Sequence, residues 1–136
     1  MITRKLIADT AMSWLDCPYH HHQGLKGVAV DCVHLVWRVG QEIGLIPEKE
    51  ELPHYEPLAR GSYMIRMLKK WLIKCNDIAI GNVLVIRFGG LDTHTGIVVS
   101  ETHFIHASNA FGKVVLSRID DYLNNIVAIY QVEGAV

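Results

Sequence analysis

Cys32 is the residue whose type and position best suit covalent chemistry. From Asp31 onward, Cys32, Leu35, Val36, Val39 and Ile43 recur at helical spacing, and Gly44 supplies a stop, so the thiol falls in the first turn of a helix. There it faces unpaired backbone N–H groups and the positive end of the helix dipole, both of which favour thiolate over thiol. A free cysteine at a core-facing position also serves as a small buried hydrophobe, so the chemistry needs a base as well.

Two histidines are candidates for that base: His94, within Asp92-Thr-His-Thr-Gly96, and His106, within Phe104-Ile-His-Ala-Ser108. Each lies in or opens a β-branched run, and a short hairpin between them would set the two imidazoles on neighbouring strands. In a Cys-His unit the base takes the thiol proton and later returns it to the leaving amine, while a third polar group fixes the tautomer of the base.

The elements that must position these groups follow from periodicity. A first helix is predicted over 3–15, ending before Cys17-Pro18 because the residue before proline is pushed out of the α region. Residues 18–30 read as an exposed loop containing a histidine run, and the helix of Cys32 follows. Residues 45–60, with Pro47, Pro53 and Pro57, read as an irregular surface excursion. Tyr63, Met64, Met67, Leu68, Trp71 and Leu72 then form the apolar face of a third helix. Five short runs at 82–88, 95–100, 103–107, 113–117 and 126–132 read as strands, so closely spaced that an antiparallel sheet is expected. The fold class is α+β, helices first and sheet second.

Composition bounds the rest. A chain of 136 residues is of one-domain size, and 1–136 is read as a single domain. Half the residues are hydrophobic and 20% are charged, which excludes a disordered or collagenous chain. The net charge of −1 provides no basic stripe, so nucleic acid is not an expected partner. Three cysteines without a CxxC pair encode neither a disulfide framework nor a zinc ribbon. No stretch matches a signal peptide or a membrane span, and the expectation is a soluble chain made in the cytoplasm.

Taken in order, Trp14-Leu-Asp-Cys-Pro-Tyr19, His22-Gln-Gly24, Gly27-Val-Ala-Val-Asp-Cys32 with Leu35-Val36, Gly81-Asn-Val-Leu-Val-Ile-Arg87, His94-Thr-Gly-Ile97 and Phe104-Ile-His-Ala-Ser108 resemble the NlpC/P60 cell-wall peptidases, most of all the phage-encoded branch. The likeness runs from about residue 11 to about residue 130 and rests on order and spacing. It implies a papain-like fold and a cysteine endopeptidase that cleaves the stem peptide of peptidoglycan, typically at a D-γ-glutamyl-diaminoacyl link. It also implies that Cys32 is the nucleophile, His94 the base and His106 the orienting third member. Tyr19 matches the tyrosine beside the thiol, and Asp31 the aspartate that precedes it and helps to read the substrate. No metal or organic cofactor is required.

Several positions depart from the family pattern. The small Ser-Gly after the nucleophile is Val33-His34 here, Gly-Thr before Pro-Tyr is Asp16-Cys17, and Gly-Asp before the first strand is Gly81-Asn82. They motivate an alternative, a phage tail or tail-assembly component that keeps the peptidase fold with weak or no activity, with tail proteins as partners. An acyltransferase or amidase on a related framework is a further alternative, since an acyl-enzyme can be discharged by an amine instead of water. His20, His21 and His22, with His34 or His54, raise the question of a metal site, but adjacent loop residues do not converge on one ion without strain.

Overall fold

The chain enters its first helix at Thr3, whose extended backbone lets the hydroxyl accept a hydrogen bond from the Leu6 amide at 3.0 Å. A computed structural model of the protein describes residues 1–56, 60–88 and 92–136. The first helix, α1 (Arg4–Met12), buries Ile7, Ala8 and Ala11. It ends earlier than the apolar spacing predicts, because Ser13 caps it and residues 13–16 continue as turns, with Asp16 at φ 69°. Within the expected loop 18–30 lies a small antiparallel hairpin, β1 (Gly24–Leu25) and β2 (Ala29–Val30), turning through Gly27 at φ 79°. Strands of two residues are too short to leave a periodic trace in the sequence.

The second helix, α2 (Cys32–Glu42), is buried nearly all round, from Cys32 through Trp37 and again at Val39 and Gly40. Gly44 at φ 84° follows it, a backbone conformation that glycine adopts without a side-chain clash. The segment read as a surface excursion departs from that expectation: Ile46 is 3% exposed and Tyr55 only 2%, so both turn inward. Prolines and acidic residues dominate its composition, and the inward turn of two side chains leaves no periodic signal. Pro57 lies outside the described residues. The third helix, α3 (Arg60–Trp71), brings Met64, Met67 and Leu68 into the core.

The remaining elements are β3 (Ile73–Cys75), β4 (Val83–Phe88), β5 (Asp92–Val98), β6 (His103–Ser108), β7 (Lys113–Arg118), a 3-10 helix (Ile119–Asn125) and β8 (Ile126–Gln131). Among the described residues they build a six-stranded sheet in the order β3-β8-β4-β5-β6-β7, with every neighbour antiparallel, as the strand spacing predicts; the three-residue β3 is an edge strand beyond the five runs expected. The helices pack on one face against Val83, Val85, Ile97, Ile105, Ala107 and Val114. The other face, with Leu84, Ile86, Val98, Phe104 and Ile129, is covered by Ile119 and Tyr122 of the 3-10 helix. Both faces are buried, which is why β4 reads as a continuous apolar run instead of an alternating one.

Register fixes which polar groups meet. In the β6–β7 ladder Phe104 stands opposite Ser117 and His106 opposite Val115, so Phe104, His106 and Ser117 share one face. Between β5 and β6, Ile97 pairs with Ile105 and Val98 with Phe104. A Cβ on Gly96 would stand 2.5 Å from the Phe104 ring and 3.0 Å from the Ile105 carbonyl oxygen. The glycine is therefore needed for the close approach of the two strands that carry the histidines. Gly96→Ala is expected to destabilise the fold by about 1–3 kcal/mol through overpacking, read as a lower urea midpoint at unchanged slope.

Candidate active site

Asp31 starts α2 and thereby sets the position of Cys32. Its backbone is extended (φ −107°, ψ 177°) and its Oδ1 accepts from the His34 amide at 2.8 Å, the geometry of a helix N-cap with Cys32 as the first helical residue. The same oxygen lies 3.1 Å from His34 Nδ1, and Oδ2 accepts from the His22 amide at 2.6 Å and from the Tyr55 hydroxyl. The Tyr55 oxygen in turn lies 2.8 Å from His34 Nδ1. Burial raises the cost of the Asp31 charge, but the bonds from His34 and Tyr55 outweigh it, and the carboxyl stays below its ordinary pKa. The resemblance implies that Asp31 helps to read the substrate; here the carboxylate is fully buried and both of its oxygens are taken by protein donors.

Cys32 is likewise fully buried, and its carbonyl oxygen accepts from Thr95 Oγ1 at 3.1 Å. That bond fastens the start of α2 to β5 at the residue next to His94. His94 Nε2 lies 2.7 Å from His106 Nδ1, with the rings edge to face at 4.9 Å. His106 Nε2 lies 2.8 Å from Ser117 Oγ, and its ring packs on Phe104 at 4.8 Å. Burial of the His106 imidazole lowers its pKa to about 4, so it is neutral near pH 7.

Tyr19 is held by its backbone. Its amide donates to the Gly112 carbonyl at 2.9 Å, and an isolated bridge pairs it with Val30, one residue before Asp31. The half-buried Tyr19 ring belongs to the fringe of the helix core. Tyr55 links these parts: burial first, then the Asp31 charge and hydrogen bond, then the charges of Cys32 and Tyr19, raise its pKa above the ordinary phenol value. Cys32, Tyr19 and Asp31 are therefore within electrostatic reach of one hydroxyl.

Sequence reasoning missed two members of this arrangement, Tyr55 and Ser117. Tyr55 is hidden in the proline-containing excursion, and Ser117 closes a β-branched run as an ordinary strand residue. The histidine run takes a different form from a metal cage. His22 stacks on Tyr55 at 4.5 Å and on His54 at 4.8 Å and tilts against His34 at 5.2 Å. Among the described residues no three His, Cys, Asp or Glu side chains converge as metal ligands.

No family model matches this sequence, and no curated protein matches it. Solved structures do share its fold. The chain superposes on NlpC2 from Trichomonas vaginalis with a TM-score of 0.71 at 17% identity, covering 96% of this chain and 47% of that one. NlpC1 from the same organism gives 0.70 at 21% identity, covering 95% and 44%. The NlpC/p60 domain of the peptidoglycan hydrolase SagA gives 0.66 at 13% identity, covering 96% and 100%. The chain thus has the papain-like NlpC/P60 fold and spans less than half the length of the two Trichomonas proteins.

The buried His106 makes stability depend on pH. As pH falls below 6.5 the unfolded imidazole protonates first, whereas the buried one holds off until about 4, so the native state loses stability across that window, by at most about 3 kcal/mol. Urea unfolding of the wild type and His106→Asn at pH 7 and pH 4.5 should show a shallower loss in the variant. Equal losses would show that His106 does not carry this dependence.

Proposed function

We propose that the chain is a cysteine peptidase acting on peptidoglycan stem peptides, at a D-γ-glutamyl-diaminoacyl link. The observation that supports it most is the hydrogen-bonded pair His94–His106 on an NlpC/P60 sheet, one residue from the Thr95 bond to Cys32 at the start of α2. That SagA bears the name peptidoglycan hydrolase supports the choice of substrate.

In this reading His94 Nδ1 takes the Cys32 proton and the thiolate adds to the amide carbonyl carbon. Backbone N–H groups at the helix start, including that of Cys32, stabilise the oxyanion. Collapse breaks the C–N bond, and the proton on His94 passes to the leaving amine, leaving a thioester. Water attacks that thioester as His94 accepts its proton, and cleavage of the C–S bond returns the thiol. His106 orients His94 from the far side, and Tyr19 orients the substrate beside the thiol. Asp31 serves both by fixing the first turn of α2 and by holding Tyr55.

The test is incubation of the protein and of Cys32→Ala with purified peptidoglycan, scoring new amino termini. The variant should lose activity by about 10³-fold or more. In the wild type, iodoacetamide should label Cys32 faster than the similarly buried Cys17 near pH 7, because a helix start favours the thiolate. Equal product from both proteins, or labelling of Cys17 ahead of Cys32, overturns the assignment.

A further inference from the structure

Ser117 is a polar side chain of the site to which neither the thiol chemistry nor the family resemblance gives a role. It stands opposite Phe104 in the β6–β7 ladder and diagonal to His106, and its Oγ completes a row: His94 Nε2 to His106 Nδ1 at 2.7 Å, His106 Nε2 to Ser117 Oγ at 2.8 Å. The His106 residue is 2% exposed. Its ring also meets the Phe104 ring at 4.8 Å and the Tyr122 ring at 6.3 Å, so among the described residues the titratable groups facing it are His94 from β5 and Tyr122 from the 3-10 helix.

A neutral imidazole carries one proton, and the row allows two placements. With the proton on Nδ1, His106 donates to His94 Nε2; a neutral His94 must then carry its own proton on Nδ1, which bars that atom from accepting the thiol proton. With the proton on Nε2, His106 donates to Ser117 Oγ and accepts from His94 Nε2–H. His94 Nδ1 is then the unprotonated atom. After it takes the thiol proton, the Nε2–H bond to His106 persists and is strengthened by charge. Only the second placement serves both halves of the reaction.

We propose that Ser117 is the positioning residue that selects this second placement: its hydroxyl oxygen accepts the His106 Nε2–H and so keeps His94 in the tautomer competent as a base. No proton leaves Ser117 in any step. Because the residue is half-buried, its own O–H can turn to water while the oxygen accepts. The proposal rests on the peptidase reading for its consequence, but the tautomer itself is observable without any substrate.

The experiment uses the full chain as wild type, Ser117→Val and Ser117→Thr, the last two nearly equal in shape and differing in the hydroxyl. Long-range ¹H–¹⁵N correlation spectra read the His106 tautomer, and iodoacetamide labelling of Cys32 against pH reads the base. The wild type should show the Nε2–H form. Ser117→Val should shift His106 toward Nδ1–H, raise the midpoint of Cys32 labelling, and lower kcat/KM by about 10- to 100-fold with KM unchanged. Ser117→Thr should restore all three. A wild type in the Nδ1–H form, or a Ser117→Val chain with the wild-type tautomer and labelling profile, overturns the proposal. Full hydrolysis by Cys32→Ala would instead remove the peptidase reading and leave the tautomer result to be judged by the spectra alone.

Discussion

The buried carboxylate of Asp31 is the constraint on which the rest of the site depends. An unpaired charge at full burial costs several kcal/mol, and four donors are therefore gathered around it: the amides of His22 and His34, the His34 ring and the Tyr55 hydroxyl. Each donor fixes a different part of the chain. The His34 amide starts α2 so that Cys32 becomes its first residue, and the His22 amide, presented through a left-handed backbone at φ 57°, draws in the loop that follows Tyr19. Tyr55 pins the segment between α2 and α3. One ionised group thus couples the start of α2 at Cys32, the loop that follows Tyr19 and the segment that carries Tyr55.

The imidazole pair obeys the opposite electrostatic rule. His94 and His106 are 7% and 2% exposed, and among the described residues the groups at the His106 nitrogens are dipolar ones, His94 and Ser117. For His106 burial favours the neutral form, and proton placement within the row matters more than net charge. The sheet achieves this by burying both faces, one under the helices and the other under the 3-10 helix, so that a strand histidine stays shielded from water.

At Val33, His34 and Asn82 the departures from the NlpC/P60 pattern are accommodated by neighbours, whereas Asp16 takes the place of a glycine at a left-handed φ of 69°. Val33 is a fully buried core residue, and the ring of His34 fills space left open by Gly24, where a Cβ would come within 2.5 Å of the imidazole. His34 then supplies two of the contacts to Asp31. Asn82 donates to the Asp77 carbonyl at 2.9 Å and accepts from Arg4 at 2.7 Å, and an aspartate there would lack the donor.

The amino-acid sequence by itself determined the α+β order, the helix beginning at Cys32, the strands bearing His94 and His106, and the family likeness, because those signals are local: apolar period, a capping aspartate, glycine stops and β-branched runs. Tertiary structure decided what has no local signature. The inward turn of Tyr55 follows from a buried carboxylate that lies 24 residues away, and the partnership of Ser117 with His106, 11 residues apart, follows from the register of two neighbouring strands. The fate of the histidine run was also settled there, since stacking of His22 on Tyr55 and His54 depends on where the segment after α2 folds back. Hydrogen bonds between distant segments are fixed by packing, which a one-dimensional pattern does not encode.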